Sequence, residues 1–277
     1  MGLFARVRRL GLQMLAMPVR LPGLRDRAAM LEQMAEGMVH RVPVAGGEIA
    51  FHVPGALLFD RAAGLLAKEP DTIRWLDAMG ADDVLWDVGA NVGVFSLYAA
   101  ARARCRVLAF EPSAPNFHVL ARNLQLNPGL RVDAYCVALA GRTGLGAMNL
   151  ATPAAGMAMA QFGKPGEASP YWHGTVGATH GMVGFTVDEF IARFGPPFPT
   201  HVKIDVDGLE PDILEGAATT LADGRVRSVM AEVSLTDESA RHRSLQALER
   251  AGFALLSRGA EQGGGAERAA NHFFGRA

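Results

Sequence analysis

An α/β fold, with a mostly parallel sheet and helices on both of its faces, is what this sequence predicts on three observations. Val84-Leu85-Trp86 is apolar without alternation, as expected of a parallel strand covered on both faces. A glycine turn follows, Asp87-Val-Gly89-Ala-Asn91-Val-Gly93, and then an alanine-rich, helix-compatible stretch from Val92 to Ala103. Arg106–Phe110 is a second apolar run, ended by Glu111 close to the ~20-residue offset at which an acidic group meets ribose hydroxyls. Strand, turn, helix, strand and acid in that order describe an adenosine-containing ligand lying across the first two strands of a parallel sheet.

The remaining elements follow from local signals. Residues 28–79 read as mostly helical, with a short strand or hairpin near Val42–Val53 turned by Gly46-Gly47. A helix over Pro70–Met79 leads into the first sheet strand. Ser113 is placed to cap a helix to about Asn127, stopped by Pro128-Gly129, and Leu130–Val137 reads as a third strand. Residues 141–185 break this rhythm, being rich in glycine with little helical periodicity. A stretch that long is either a disordered loop or an insertion covering a site. Its Tyr171-Trp172-His173 supplies aromatic surface, for stacking on a substrate ring or for anchoring the segment to the core. Val202–Asp207 and Val226–Val233 are further strands, Asp237–Arg250 a helix, and Gly252–Ser257 and Asn271–Phe274 two last strands around the glycine-rich Gly259–Gly265.

The Asp87–Gly93 form, with Asp leading and Asn91 where dinucleotide fingerprints prefer glycine, resembles motif I of class I S-adenosylmethionine-dependent methyltransferases. A second block, Val202-Lys203-Ile204-Asp205-Val206-Asp207-Gly208-Leu-Glu210 with Ile213-Leu214-Glu215-Gly216, is similar to the FkbM family within that class, supported by Thr186-Val-Asp188-Glu-Phe190. Asp207 stands where that family more often has Glu. The resemblance covers roughly residues 55–275. It implies a Rossmann-like class I methyltransferase sheet whose last strand runs antiparallel to the rest. S-adenosylmethionine is the implied cofactor and O-methylation of sugars, glycolipids or polyketide hydroxyls the implied reaction. It also puts Asp133 and the Cys136-Val137-Ala138 turn where class I enzymes commonly hold adenine. The expected cofactor-binding residues are thus Asp87, Gly89, Asn91, Gly93, Glu111 and Asp133. The rival readings are a nicotinamide-dependent oxidoreductase and a cofactor-binding relative without turnover.

The second block also carries the expected chemistry. Lys203 in a central strand needs a counter-charge, because an unpaired ammonium is costly to desolvate. Asp205 lies two residues on, on the same face, near the strand end where ligands bind in open sheets. Glu232 ends the neighbouring strand. These two carboxylates could serve as a general base, bind substrate hydroxyls, hold a divalent cation or simply neutralise Lys203. A cation is allowed by this pair but not expected. His173, with His180 as its alternative, completes the candidate catalytic set of Asp205, Glu232 and His173.

Composition bounds the rest. A length of 277 residues and 49% hydrophobic content fit one α/β domain with an extension. The expected division is 1–54, a basic and helical extension with the hairpin, and 55–277, a methyltransferase domain with an irregular insertion at about 141–185. A net charge of −1 gives no reason to expect nucleic acid. Cys105 and Cys136 offer neither a disulfide framework nor metal spacing, so a cytoplasmic setting is expected. Residues 1–27 hold six arginines against Asp26 alone. They read as a helix packed on the protein itself, with peripheral contact to an anionic membrane as the alternative. The expected partner is a small-molecule or glycan hydroxyl acceptor.

Overall fold

The computed structural model describes residues 23–166, 175–262 and 268–276. Two compact units divide the chain at Met38/Val39. The first contains helix α1 (Leu24–Glu36). The second holds everything else, including the hairpin β1 (Val39–Val44) and β2 (Gly47–His52), which the expected division at 54/55 places with the extension. Two asparagines account for that shift. Asn127 Oδ1 accepts from Ala50 N at 3.0 Å and Asn123 Oδ1 accepts from His52 N at 2.7 Å, so the backbone of β2 finds partners in the helix over 114–126 and in the residue that caps its C-terminus.

Helices α2 (Ala56–Ala63), α3 (Leu65–Lys68) and α4 (Pro70–Asp77) precede the first strand of the main sheet. That sheet then builds as β3 (Val84–Val88), α5 (Val94–Arg102), β4 (Arg106–Phe110), α6 (Ala114–Leu126) and β5 (Val132–Tyr135). After an intervening segment come α7 (Val187–Phe194), β10 (His201–Ile204), α8 (Glu210–Glu215), α9 (Ala218–Ala222), β11 (Ser228–Ser234), α10 (Glu238–Arg250), β12 (Phe253–Gln262) and β13 (Ala269–Arg276). The seven strands lie in the order β12-β13-β11-β10-β3-β4-β5. β13 is antiparallel to both its neighbours and every other pairing is parallel. The fold is thus the Rossmann-like sheet of class I methyltransferases, with its last strand reversed as expected.

The apolar runs of β3 and β4 have no alternation because both sheet faces are buried. Leu85 and Val107 point into one core with Leu97 and Tyr98 of α5. Trp86, Val88, Leu108 and Phe110 point into the other, with Phe190 of α7 and Leu214 of α8. Ser113 is the N-cap residue of α6, yet its side chain makes no capping bond. Thr186 does cap α7, accepting from Glu189 N at 3.2 Å.

The segment 141–185, expected to be irregular, builds three strands, with residues 151–159 irregular between the first two. β6 (Ala138–Leu139), β7 (Gly144–Leu150), β8 (Ala160–Gly163) and β9 (Ala178–Phe185) form a second sheet in the order β6-β9-β7-β8. Glycine hid these strands from a propensity reading and is also what lets them pack. A Cβ at Gly146 or Gly184 would fall 2.6 Å from the Phe162 ring, which occupies the space both leave open.

Two of the turn glycines after β3 are fixed by close approach as well as conformation. Gly89 has φ 82, and a Cβ there would lie 1.9 Å from the backbone oxygen of Asp205. The chain ends of β3 and β10 therefore meet backbone to backbone. Gly93, also at φ 82, would collide with Leu120. Gly89→Ala is expected to cost about 2–5 kcal/mol of unfolding free energy, combining left-handed strain with overpacking. Urea denaturation measures it, and a loss under about 0.5 kcal/mol would contradict the close approach.

Candidate active site

The loops at the C-terminal ends of β3, β4, β10 and β11 surround one cavity, closed on other sides by α2 and α3, the second sheet and residues 157–160. Gly89, Asn91, Glu111, Asp205 and Glu232, all singled out from sequence, line it together. Gly93 and Asp87 stand just behind. Asp133 is elsewhere: its carboxylate pairs with Arg106, Nη2 to Oδ2 at 2.8 Å, and does not line the cavity. His173 lies outside the described residues. His180 is not a cavity residue either; its Nε2 accepts from Ala114 N at 3.3 Å, at the start of α6.

Glu111 follows directly on β4 and is 4% exposed. Its Oε2 accepts from Asn91 N at 2.7 Å and its Oε1 from Ser113 N at 2.8 Å. Each oxygen keeps lone-pair capacity for a hydroxyl donor. Burial pushes this carboxyl up to about 7 despite those bonds. Asn91, held at φ 52, donates from Nδ2 to Met157 O at 3.1 Å, while its own Oδ1 is buried with no partner among the described residues.

Lys203 is 1% exposed and does have the counter-charges that its burial demands. Its Nζ donates to Asp205 Oδ2 at 2.9 Å, lies 3.4 Å from Asp87 Oδ1 and sits 5.4 Å from the centre of the Phe95 ring. Burial alone would push the ammonium down, but Asp205, Asp87 and Glu69 together hold it above its ordinary value. Asp87 itself accepts from Ser96 Oγ at 2.5 Å. So this first residue of the glycine motif acts behind the cavity, fixing Lys203 and the start of α5.

Around Asp205 stands a group of acids that the sequence reading only partly found. Glu232 is pushed up to about 9, first by burial and then by Asp205, Glu210 and Asp207. Glu69, from the junction of α3 and α4, accepts from Asn271 Nδ2 at 2.9 Å and Thr72 Oγ1 at 3.1 Å. Asp207, at φ 58, turns its carboxylate to Met159 N at 2.6 Å and Ala160 N at 3.3 Å. Glu210 accepts from Val206 N and Gly208 N and so braces the same loop. Arg61 of α2 adds a cation whose Nε donates to Gly156 O. Glu69 and Arg61 carried no sequence signal, since they come from helices ahead of any motif. Among the described residues no cluster of His, Cys, Asp and Glu is arranged to hold a metal ion.

These raised carboxyls have a consequence for stability. Glu232, Glu111 and Glu210 bind protons more tightly in the folded chain than unfolded, where a glutamate titrates near pH ~4.3. Their contribution is full below that pH and is lost as pH rises through about 7 for Glu111 and Glu210 and about 9 for Glu232. The thermal midpoint of Glu232→Gln is therefore expected to fall less between pH 7 and 9 than that of the unaltered protein. Parallel curves would refute this.

Similarity to known proteins agrees with the geometry. The chain is 30% identical over 159 residues to hexuronic acid methyltransferase AglP of Haloferax volcanii, covering 56% of this chain and 59% of that protein. It is 49% identical over 45 residues to methyltransferase sdnD of Sordaria araneosa, covering 16% of this chain and 17% of that protein. The matches thus span less than two thirds of these relatives' lengths. Among solved structures, precorrin-6y C5,15-methyltransferase of Geobacter metallireducens aligns at TM-score 0.45 and 13% identity, over 75% of this chain and 87% of that one. Residues 87–255, which include both sequence blocks and Asp205, Asp207, Glu210 and Glu232, match the methyltransferase FkbM domain, and the chain belongs to that family of methyltransferases.

Proposed function

We propose that this protein transfers the methyl group of S-adenosylmethionine to a hydroxyl of a sugar-type acceptor. The observation that carries the reading is a single cavity with Glu111 at one strand end, Asp205 and Glu232 at two others, and the Gly89–Asn91 backbone between them. The residues fit the cofactor. Glu111 offers a buried carboxylate for ribose hydroxyls, Gly89 lets the backbone lie close, and the unpartnered Asn91 Oδ1 offers an acceptor for a donor group. When bound, S-adenosylmethionine supplies an electrophilic methyl carbon on a sulfonium that leaves as a neutral thioether.

The chain's own contribution is alignment and proton removal. Asp205 faces the acceptor and takes the hydroxyl proton as the new C–O bond forms. Lys203 holds that carboxylate in place through Oδ2. Glu232, which keeps its proton at neutral pH, donates a hydrogen bond to the acceptor. Glu69 offers a further carboxyl to a polyhydroxylated ligand, and the relative named as a hexuronic acid methyltransferase supports a sugar acceptor.

Incubating the protein with cell extract and labelled S-adenosylmethionine, then identifying the labelled product by mass, tests the reaction. Label in a methyl ether of a glycan supports it; label in protein amines or nucleic acid sinks the acceptor assignment. Tight NADH binding with no response to S-adenosylhomocysteine would overturn the whole reading. Glu111→Ala is expected to weaken S-adenosylhomocysteine binding roughly ten- to hundred-fold, the loss of charge-assisted bonds to the ribose. Calorimetric titration measures this, and unchanged affinity would remove Glu111 from the site.

A further inference from the structure

We infer that Arg61 is the receptor for the α-carboxylate of the cofactor's methionyl arm. The inference rests on the methyl-donor reading above and goes beyond it, by assigning a residue that lies outside the matched family domain.

Arg61 belongs to α2, ahead of the first sheet strand, and lines the cavity. Its Nε is spent on Gly156 O. Among the described residues its two Nη groups donate to nothing. A guanidinium left with its outer fork open inside a cavity is matched to a planar anion that takes two parallel hydrogen bonds.

The four carboxylates that attract it electrostatically are Asp205, Asp207, Glu111 and Glu69. Each is already engaged by other donors. Asp207 holds Met159 N and Ala160 N, Glu111 holds Asn91 N and Ser113 N, Glu69 holds Thr72 and Asn271, and Asp205 holds Lys203. Arg61 therefore stands among acids without being closed into an ion pair by any of them.

Its position selects the ligand group. Arg61 lines the same cavity as Glu111, which the reading above gives to the ribose, and as the Asp205–Asp207 loop, which it gives to the acceptor. The methionyl arm branches from the sulfur that joins ribose and reacting methyl, and it carries the cofactor's only carboxylate. The surrounding acids disfavour a second anion, so one fork for one carboxylate is what this cavity provides. Because Nε grips Gly156 O while Met157 O takes bonds from Asn91 and Asn116, the same residue also ties the 156–160 segment over the glycine turn.

Two nucleosides separate this role from a structural one. S-adenosylhomocysteine carries the amino-acid arm; 5′-methylthioadenosine carries the adenosine and sulfur without it. Calorimetric titration of both into the full chain and into Arg61→Gln is the test. The expected result is a roughly ten- to hundred-fold loss for S-adenosylhomocysteine, with 5′-methylthioadenosine changed by less than about twofold. Arg61→Lys, which keeps the charge but not the fork, is expected to lose an intermediate amount for S-adenosylhomocysteine alone, and it serves where Arg61→Gln does not fold. Equal losses for both nucleosides, or none for either, would overturn the assignment. So would an unchanged S-adenosylhomocysteine affinity with a raised KM for the acceptor, which would make Arg61 a reader of the acceptor instead. A native chain that binds neither nucleoside would sink the methyl-donor reading itself, whereas native binding of both with Arg61→Gln unaffected would sink only the role of Arg61.

Discussion

Lys203→Met is expected to lower the unfolding free energy by about 3–5 kcal/mol, the cost of breaking a buried ion pair by removing one partner. Lys203 is 1% exposed, as is Asp87, whose Oδ1 has no hydrogen bond among the described residues and has the ammonium 3.4 Å away to offset its charge. Methionine fills much of the lysine's volume and leaves that carboxylate buried without compensation. The loss comes from Asp87 more than from Asp205, because Asp205 faces the cavity and can be hydrated there. A second variant follows from this. Adding Asp87→Asn to Lys203→Met should recover part of the stability, since an amide can still accept from Ser96 and carries no charge to bury. Urea denaturation reads both, with an unchanged m-value expected. A loss below about 1 kcal/mol for the single variant, or no recovery in the double, would show that Lys203 and Asp87 are not coupled.

That pair also shows what the sequence could and could not tell. A lysine among the alternating apolar residues of a central strand announces that a counter-charge must exist, and Asp205 on the same face was the evident candidate. The second partner, Asp87, belongs to a different strand, and only the parallel pairing that sets Lys203 beside Asp87 brings them together. The main sheet was legible because each β3–β5 element carries a local signal: unbroken apolar runs, positive-φ positions at Gly89, Asn91 and Gly93, and a proline-glycine stop after α6. The second sheet was not, because its strands are defined by what packs on them. Gly146 and Gly184 read as breakers until Phe162 is seen to lie against both. Arg61 and Glu69 were invisible for a related reason. Nothing near them in sequence resembles a site; they join it only because the fold brings α2 and the α3–α4 junction to the cavity that Asp205 and Glu232 also line. Asp133 is the converse case. Its place in the third strand suggested the adenine site, yet an arginine on the neighbouring strand takes its carboxylate.

Asp205→Asn is expected to lower turnover about 10²- to 10⁴-fold, the usual contribution of a positioned general base, while S-adenosylhomocysteine binding stays within a few-fold. Both Asp205 and Glu232 face the cavity at neighbouring strand ends, and either has the reach to accept the acceptor's proton. Glu232, pushed up to about 9, already holds a proton at neutral pH and is a donor there. Asp205 receives the Lys203 ammonium on Oδ2 and has no hydrogen-bond partner for its other oxygen among the described residues, so it is the carboxylate left to act as base. Asparagine keeps the size of the side chain and the bond from Lys203, so a failure to fold is not the expected cause of the loss. Glu232→Gln, which retains a donor, should lose no more than about tenfold in the same assay. Single-turnover methyl transfer at saturating cofactor separates the two. Equal losses in the two variants would withdraw the distinction between base and donor, and a greater loss in Glu232→Gln would reverse it.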